Sequence, residues 1–108
     1  MGKHYLLNLY GCQFHSLNDL NFITQLLKDA ATLCEATILN VATHQFDPYG
    51  VTVVLMLAES HISIHTWPDK GTAACDVYTC SQTDPKIGCD LIIEKLKPSN
   101  YELTFIQR

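Results

Sequence analysis

The sequence predicts an α+β fold, a two-layer sandwich in which a largely antiparallel sheet carries two helices on one face. Three observations lead there. Two stretches place apolar residues at spacings of three and four, while six shorter stretches are apolar runs or alternate with period two. Two turn signals, Asp47-Pro48-Tyr49-Gly50 and Pro68-Asp69-Lys70-Gly71, fold neighbouring strands into hairpins and so make them antiparallel. Finally, 108 residues with 47% apolar and 17% charged composition suit one domain, 1–108, with one modest core.

Each element has its own signal. His4 to Leu9 is a short apolar run ending at Gly11, a first strand. Ser16 stands before a helix, with Asp19 three positions on as a variant capping box. Leu20, Ile23, Leu26, Leu27, Ala30 and Leu33 then form its apolar stripe. Ala36 to His44 is rich in β-branched residues and reads as a second strand; Val51 to Ala58 is a near-continuous apolar run and a third. His61 to Trp67 alternates, and Thr72 to Thr79 follows the second turn as a fifth strand. Pro85 opens a second helix with Ile87, Leu91, Ile92 and Leu96 at helical spacing, and Pro98 stops it. Asn100 to Gln107 alternates Tyr101, Leu103 and Phe105 in a closing strand.

Composition narrows the function classes. Seven basic against eleven acidic residues give a net charge of −4, which argues against a nucleic-acid binder. No apolar run approaches the ~18 to 20 residues that span a bilayer. Met1-Gly2-Lys3-His4-Tyr5 leads into only a short apolar stretch broken by Asn8, unlike a signal peptide. The five cysteines (Cys12, Cys34, Cys75, Cys80, Cys89) are odd in number and form no C-x-x-C pair. Reduced thiols and a cytoplasmic protein are expected, without a structural zinc site.

One segment is unusual for a plain strand. Ala58 to Pro68 crowds two histidines, two serines, a glutamate and a tryptophan between apolar strands. Period two puts His61, Ser63 and His65 on one face, with Ile62 and Ile64 on the other. A strand with a polar face accounts for the pattern alone. A Ser-His nucleophile finds no G-x-S-x-G elbow, and a metal held by His61 and His65 finds no third ligand at recognisable spacing.

Glu59-Ser60-His61-Ile62-Ser63-Ile64-His65-Thr66-Trp67-Pro68, followed by Ala73-Ala74-Cys75-Asp76-Val77-Tyr78-Thr79-Cys80, resembles the signature of the prokaryotic S-adenosylmethionine decarboxylases. Phe46-Asp47-Pro48-Tyr49-Gly50-Val51 resembles that family's segment upstream of its processing hydroxyl. The likeness is dense from Phe46 to Cys80 and extends as element order over the rest. It implies a proenzyme that cuts itself between Glu59 and Ser60 into a β chain, 1–59, and an α chain, 60–108. Ser60 Oγ would attack the Glu59 carbonyl, converting the amide to an ester; β-elimination from that ester and hydrolysis of the resulting imine, with loss of ammonia, would leave a pyruvoyl group at the start of the α chain. That ketone would take the substrate amine as a Schiff base and accept the electrons freed with CO₂, the role of pyridoxal phosphate elsewhere. The cofactor is thus made from Ser60, with no metal and no pyridoxal phosphate.

The resemblance also implies roles. His65 would move the proton in processing, assisted by Thr52, which stands where the family usually has a serine. Cys80 would protonate the substrate carbon after decarboxylation, while Cys75, on the opposite strand face, stays structural. Phe46 and Ile62 would sandwich the adenine, Asp69 (a glutamate in the family) would hold the ribose, and Glu59 would remain near the substrate amine. Ser81 replaces a family glycine. A homodimer with sites at the interface is implied, containing two β and two α chains. His65, Thr52, Phe46 and Asp69 of one protomer would serve Ser60 and Cys80 of the other. The expected activity is S-adenosylmethionine decarboxylation for spermidine synthesis. The alternatives are the same pyruvoyl chemistry on arginine or ornithine, and a non-processing regulatory homolog.

Overall fold

The computed structural model describes residues 1–108. In chain order the elements are β1 (Lys3–Tyr10), α1 (Phe14–Leu17), α2 (Leu20–Leu33), β2 (Ile38–Gln45), β3 (Val51–Leu57) and β4 (Ser60–Trp67). A 3₁₀ turn (Pro68–Lys70), β5 (Thr72–Thr79), α3 (Lys86–Leu96) and β6 (Asn100–Gln107) complete the chain. The six strands form one sheet in the order β2-β3-β4-β5-β1-β6, with every neighbouring pair antiparallel. The three helices lie against one face, which makes the expected two-layer sandwich. No helix is long and apolar enough to cross a membrane.

Helix starts and faces depart from expectation in two places. The side chain of Asp19, not Ser16, caps α2, accepting from the Phe22 N–H at 3.0 Å. Ser16 lies inside the separate turn α1, which ends at Asn18 and leaves Asp19 as the first residue able to cap α2. On α3 the buried stripe is Gly88, Cys89, Ile92 and Leu96, while Ile87 is exposed. Gly88 explains the rotation. A Cβ there would lie 2.9 Å from Cys34 Sγ, so only glycine lets α3 press its Gly88 edge onto the end of α2.

The core lies between sheet and helices. Leu7 and Leu9 of β1, Val53, Leu55 and Leu57 of β3, Ile62 and Ile64 of β4, and Cys75 and Val77 of β5 alternate into it. Ile62 therefore corrects the sequence reading: it is fully buried under the helices and offers no surface to an adenine ring. The opposite sheet face has no covering layer. Leu6, Val54, Met56, Trp67 and Ile106 project from it, between 36% and 51% exposed.

A polar cluster sits in the middle of that bare face. Asp76 of β5 accepts from His61 Nε2 of β4 at 2.7 Å and from His4 Nε2 of β1 at 2.8 Å, and Ser63 donates to its other oxygen. The cluster thus pins three adjacent strands. Burial pushes the Asp76 carboxyl up, but the hydrogen bonds from Ser63, His61 and His4 outweigh it and hold the group below its ordinary value.

Two predictions concern this frame. Ile62→Ala should cost about 2–5 kcal/mol in urea unfolding, the usual loss for a large buried aliphatic side chain. Asp76 has a depressed folded-state pKa, so its contribution is complete above its unfolded value of about 3.9 and is lost as pH falls through the folded value. Urea midpoints of the parent should therefore drop more steeply below about pH 4 than those of Asp76→Asn. Parallel pH profiles for the two proteins would contradict the assignment.

Candidate active site

The residues singled out by sequence gather at opposite ends of the β3–β4 hairpin. At the turn end, Leu57 pairs with Ser60 across a two-residue connection, Ala58-Glu59. Glu59 occupies the left-handed region with φ 60°, at the turn position where glycine or asparagine is the usual choice. A side chain bearing Cβ there costs on the order of 1–2 kcal/mol. The backbone is thus strained beside the Glu59–Ser60 bond.

Cys80, one residue past β5, holds both sides of that bond. Its N–H donates to Ser60 Oγ at 3.1 Å, and its thiol lies 3.1 Å from the Glu59 carbonyl oxygen, to which it donates. It is the one exposed cysteine; Cys12, Cys34, Cys75 and Cys89 are buried and unpaired. Burial raises the pKa of each of these four, and that of Cys89 reaches about 12. They remain protonated packing groups, and Cys80 is the thiol open to chemistry.

At the other end, Thr52 and His65 are cross-strand partners, with Thr52 Oγ1 and His65 Nδ1 2.9 Å apart. They share a cleft of about 270 Å³ with Phe46, Tyr49, Gly50, Thr66 and Trp67. Gly50 shapes it: its φ is 107°, and a Cβ there would lie 3.2 Å from the Thr66 carbonyl. Buried Thr66 anchors the floor, its Oγ1 accepting from the Val51 N–H at 2.9 Å and donating to the Leu17 carbonyl at 2.8 Å. The rim rings are also held, with His44 against Phe46 at 4.5 Å and Phe14 against Tyr49 at 5.5 Å between centroids. Asp69 is exposed on the 3₁₀ turn beyond Trp67 and does not line the cleft. Tyr49 and Trp67 do line it, although sequence reasoning gave neither a site role; the signal was their place in the two motif runs.

These two clusters do not meet within one chain. Ser60 and His65 are five residues apart on a single strand, roughly 16 Å at the usual rise per residue. A second cleft, about 450 Å³, lies on the helical side among Gln13, His15, Phe22, Lys95 and Lys97 and holds none of the motif residues. His4, His61 and Asp76 bring three potential metal ligands within 4.8 Å of one another. As they stand, both imidazoles are committed to the carboxylate by hydrogen bonds.

Comparison with known proteins gives one answer. A family model described as S-adenosylmethionine decarboxylase matches residues 3–108. The S-adenosylmethionine decarboxylase proenzyme of Prochlorococcus marinus (strain MIT 9313) is 48% identical over 109 residues, covering 100% of this chain and 87% of that protein. S-adenosylmethionine decarboxylase proenzyme 2 of Bacillus cereus (strain ZK / E33L) is 48% identical over 103 residues, covering 94% and 84%. The crystal structure of the adenosylmethionine decarboxylase from Aquifex aeolicus VF5 superposes with a TM-score of 0.93 at 37% identity, covering 100% of this chain and 90% of that one. The Trypanosoma brucei AdoMetDC-delta26 monomer shares the fold at a TM-score of 0.64 and 14% identity, over 94% of this chain and 44% of its own. From the matched sequence and the superposed fold, the chain belongs to the S-adenosylmethionine decarboxylase family.

Proposed function

We propose that the chain is made as a proenzyme, cuts itself between Glu59 and Ser60, and decarboxylates S-adenosylmethionine with the pyruvoyl group left by Ser60. The observation that carries this reading is Cys80, which holds the Ser60 hydroxyl and the Glu59 carbonyl at one strained peptide bond. Ser60 Oγ adds to the Glu59 carbonyl carbon, the C–N bond breaks, and the hydroxyl proton passes to the Ser60 nitrogen. His65, paired with Thr52, takes the Ser60 Cα proton as the Glu59 carboxylate is eliminated, and the dehydroalanine left behind tautomerises to an imine that water hydrolyses to the pyruvoyl ketone with release of ammonia. The thiol's donation to Glu59 O supports a role for Cys80 in this first step as well as in the later one.

The residues present suit a group made in place: an exposed turn presents Ser60, and a thiol is already beside it. The pyruvoyl group, on which this family depends, supplies an electrophilic ketone that accepts the electrons released with CO₂. Cys80 then delivers a proton to the substrate carbon that lost the carboxylate. Phe46, Tyr49 and Trp67 offer flat apolar walls to a purine. Arginine or ornithine would leave those rings unused. Cutting frees no fragment, because strands of 1–59 and 60–108 interleave in the sheet and β1 is flanked by β5 and β6.

We further propose a two-fold dimer through the bare sheet face. The cleft is smaller than the ~300–1,000 Å³ typical of small-molecule sites, and its catalytic complement lies at the far end of the same strand. A two-fold axis lying between the two bare faces, parallel to the sheets and perpendicular to β4 at its midpoint, brings one protomer's Ser60 end over its partner's His65 end. The same docking covers Leu6, Val54, Met56 and Ile106.

Two measurements test these proposals. Intact mass of the purified parent should show two chains divided at Glu59–Ser60, while Ser60→Ala stays whole; a parent that remains one chain on prolonged incubation would remove self-cleavage. For the shared site, Ser60→Ala and Phe46→Ala should each be impaired. Co-expressed in equal amounts they should regain about a quarter of parental activity, since half the dimers then hold one intact site. Activity no higher than the sum of the two variants would place the whole site in one protomer.

A further inference from the structure

We propose that the Tyr78 hydroxyl is a positioning group for self-cleavage, donating to Cys80 Sγ and so directing the single thiol proton onto the Glu59 carbonyl. This deepens, and rests on, the self-cleavage reading above. Cys80 Sγ lies 3.1 Å from Glu59 O and 3.7 Å from Tyr78 Oη, and a thiol has one proton to share between them. Tyr78 Oη has no other hydrogen-bond partner. The hydrogen bond to Cys80 and then burial raise the pKa of the phenol, so it keeps its proton at neutral pH and remains a donor.

The ring cannot easily turn elsewhere. His4 packs edge-on against it at 5.3 Å and His61 lies at 5.8 Å between centroids, both held by Asp76. The Arg108 guanidinium sits 5.2 Å from the ring centre. Gly2 closes the other side of the thiol: a Cβ there would fall 3.2 Å from Cys80 Sγ and 2.5 Å from the Thr79 carbonyl. The polar cluster of the bare face thus reaches the cleavage site through Tyr78.

Chemically, negative charge builds on the Glu59 carbonyl oxygen as Ser60 Oγ bonds to its carbon. A donor already aimed at that oxygen stabilises the charge. With the phenol donating to sulfur, the thiol proton faces the carbonyl; without it, the proton is free to turn away. No oxidant or further reactant is needed.

The test follows freshly translated chain by intact mass as it converts to 1–59 and 60–108. Tyr78→Phe keeps the ring and should cleave roughly ten-fold more slowly, the loss expected for one hydrogen bond at a charged centre. Hydroxylamine, which opens the ester as it forms, should not restore the rate, because the slow step is the acyl shift. Tyr78→Phe/Cys80→Ala should be no slower than Cys80→Ala alone, since Tyr78 acts through the thiol. In a Ser60→Ala background, Tyr78→Phe should leave the urea midpoint unchanged. Parental cleavage by Tyr78→Phe, rescue by hydroxylamine, additive slowing in the double variant, or a lowered midpoint would each overturn the role of Tyr78 while leaving self-cleavage intact. A parent that never cleaves overturns both.

Discussion

The alternation of side chains along β4 sends Ile62, Ile64 and Thr66 beneath the helices and leaves His61, Ser63, His65 and Trp67 on the bare face. Both halves of the site depend on that constraint. Because Ile62 and Ile64 must fill the core, the register with β3 is fixed, and a slip of one residue would drive two histidines under the helices. That register seats His65 opposite Thr52 and Leu57 opposite Ser60, which closes the tight turn at Glu59. One strand therefore sets both the Thr52–His65 pair and the Glu59–Ser60 bond proposed for cleavage. It also sets the distance that keeps them apart.

The turn end works by holding a strained bond between matched groups. Glu59 is left-handed in a chain where the other two residues of this kind, Glu35 and Lys97, come just after the ends of helices. Here Ser60 is committed to the ladder with β3, so the left-handed residue is held next to the carbonyl proposed for attack. Cys80 approaches from β5, whose pairing with β4 brings Tyr78 opposite His61 and so carries the thiol to the turn. The geometry is tertiary, made by two strand pairings and not by the motif alone.

That distinction explains what could be read in advance. Six strands and two helices were legible because their periods differ and because Pro85, Pro98 and the two turn clusters punctuate them. Thr72 to Thr79 and Asn100 to Gln107 emerged with the expected bounds. Asp19 displaced Ser16 as the cap because the extra turn α1 consumes Ser16, and a four-residue helix has too short a pattern to announce itself. The motif marked Ser60, His65, Thr52 and Cys80 as special. Ile62 looked available to a ligand only because resemblance says nothing of which side of the sheet a residue faces, although its alternation with His61 and Ser63 did. Tyr49 enters the cleft from the Gly50 turn and Trp67 from the end of β4, a meeting that only the strand pairing of the fold brings about.

The strand order accounts for how a chain of this size would survive the proposed cut in its own backbone. Cleavage at Glu59–Ser60 would sever the turn between β3 and β4, yet would leave the ladder between them in place, as well as the pairings of β1 with β5 and β6. The proposed β chain would contribute β1, β2 and β3, and the proposed α chain β4, β5 and β6, with β1 inserted among the α-chain strands. Parting the two chains would strip β1 of both neighbours and expose Leu7 and Leu9, which are fully buried. The proposed cut would free Glu59, whose left-handed backbone would no longer have to close a turn. Strain would then be released beside the proposed reaction, and the core that positions the remaining groups would be left standing.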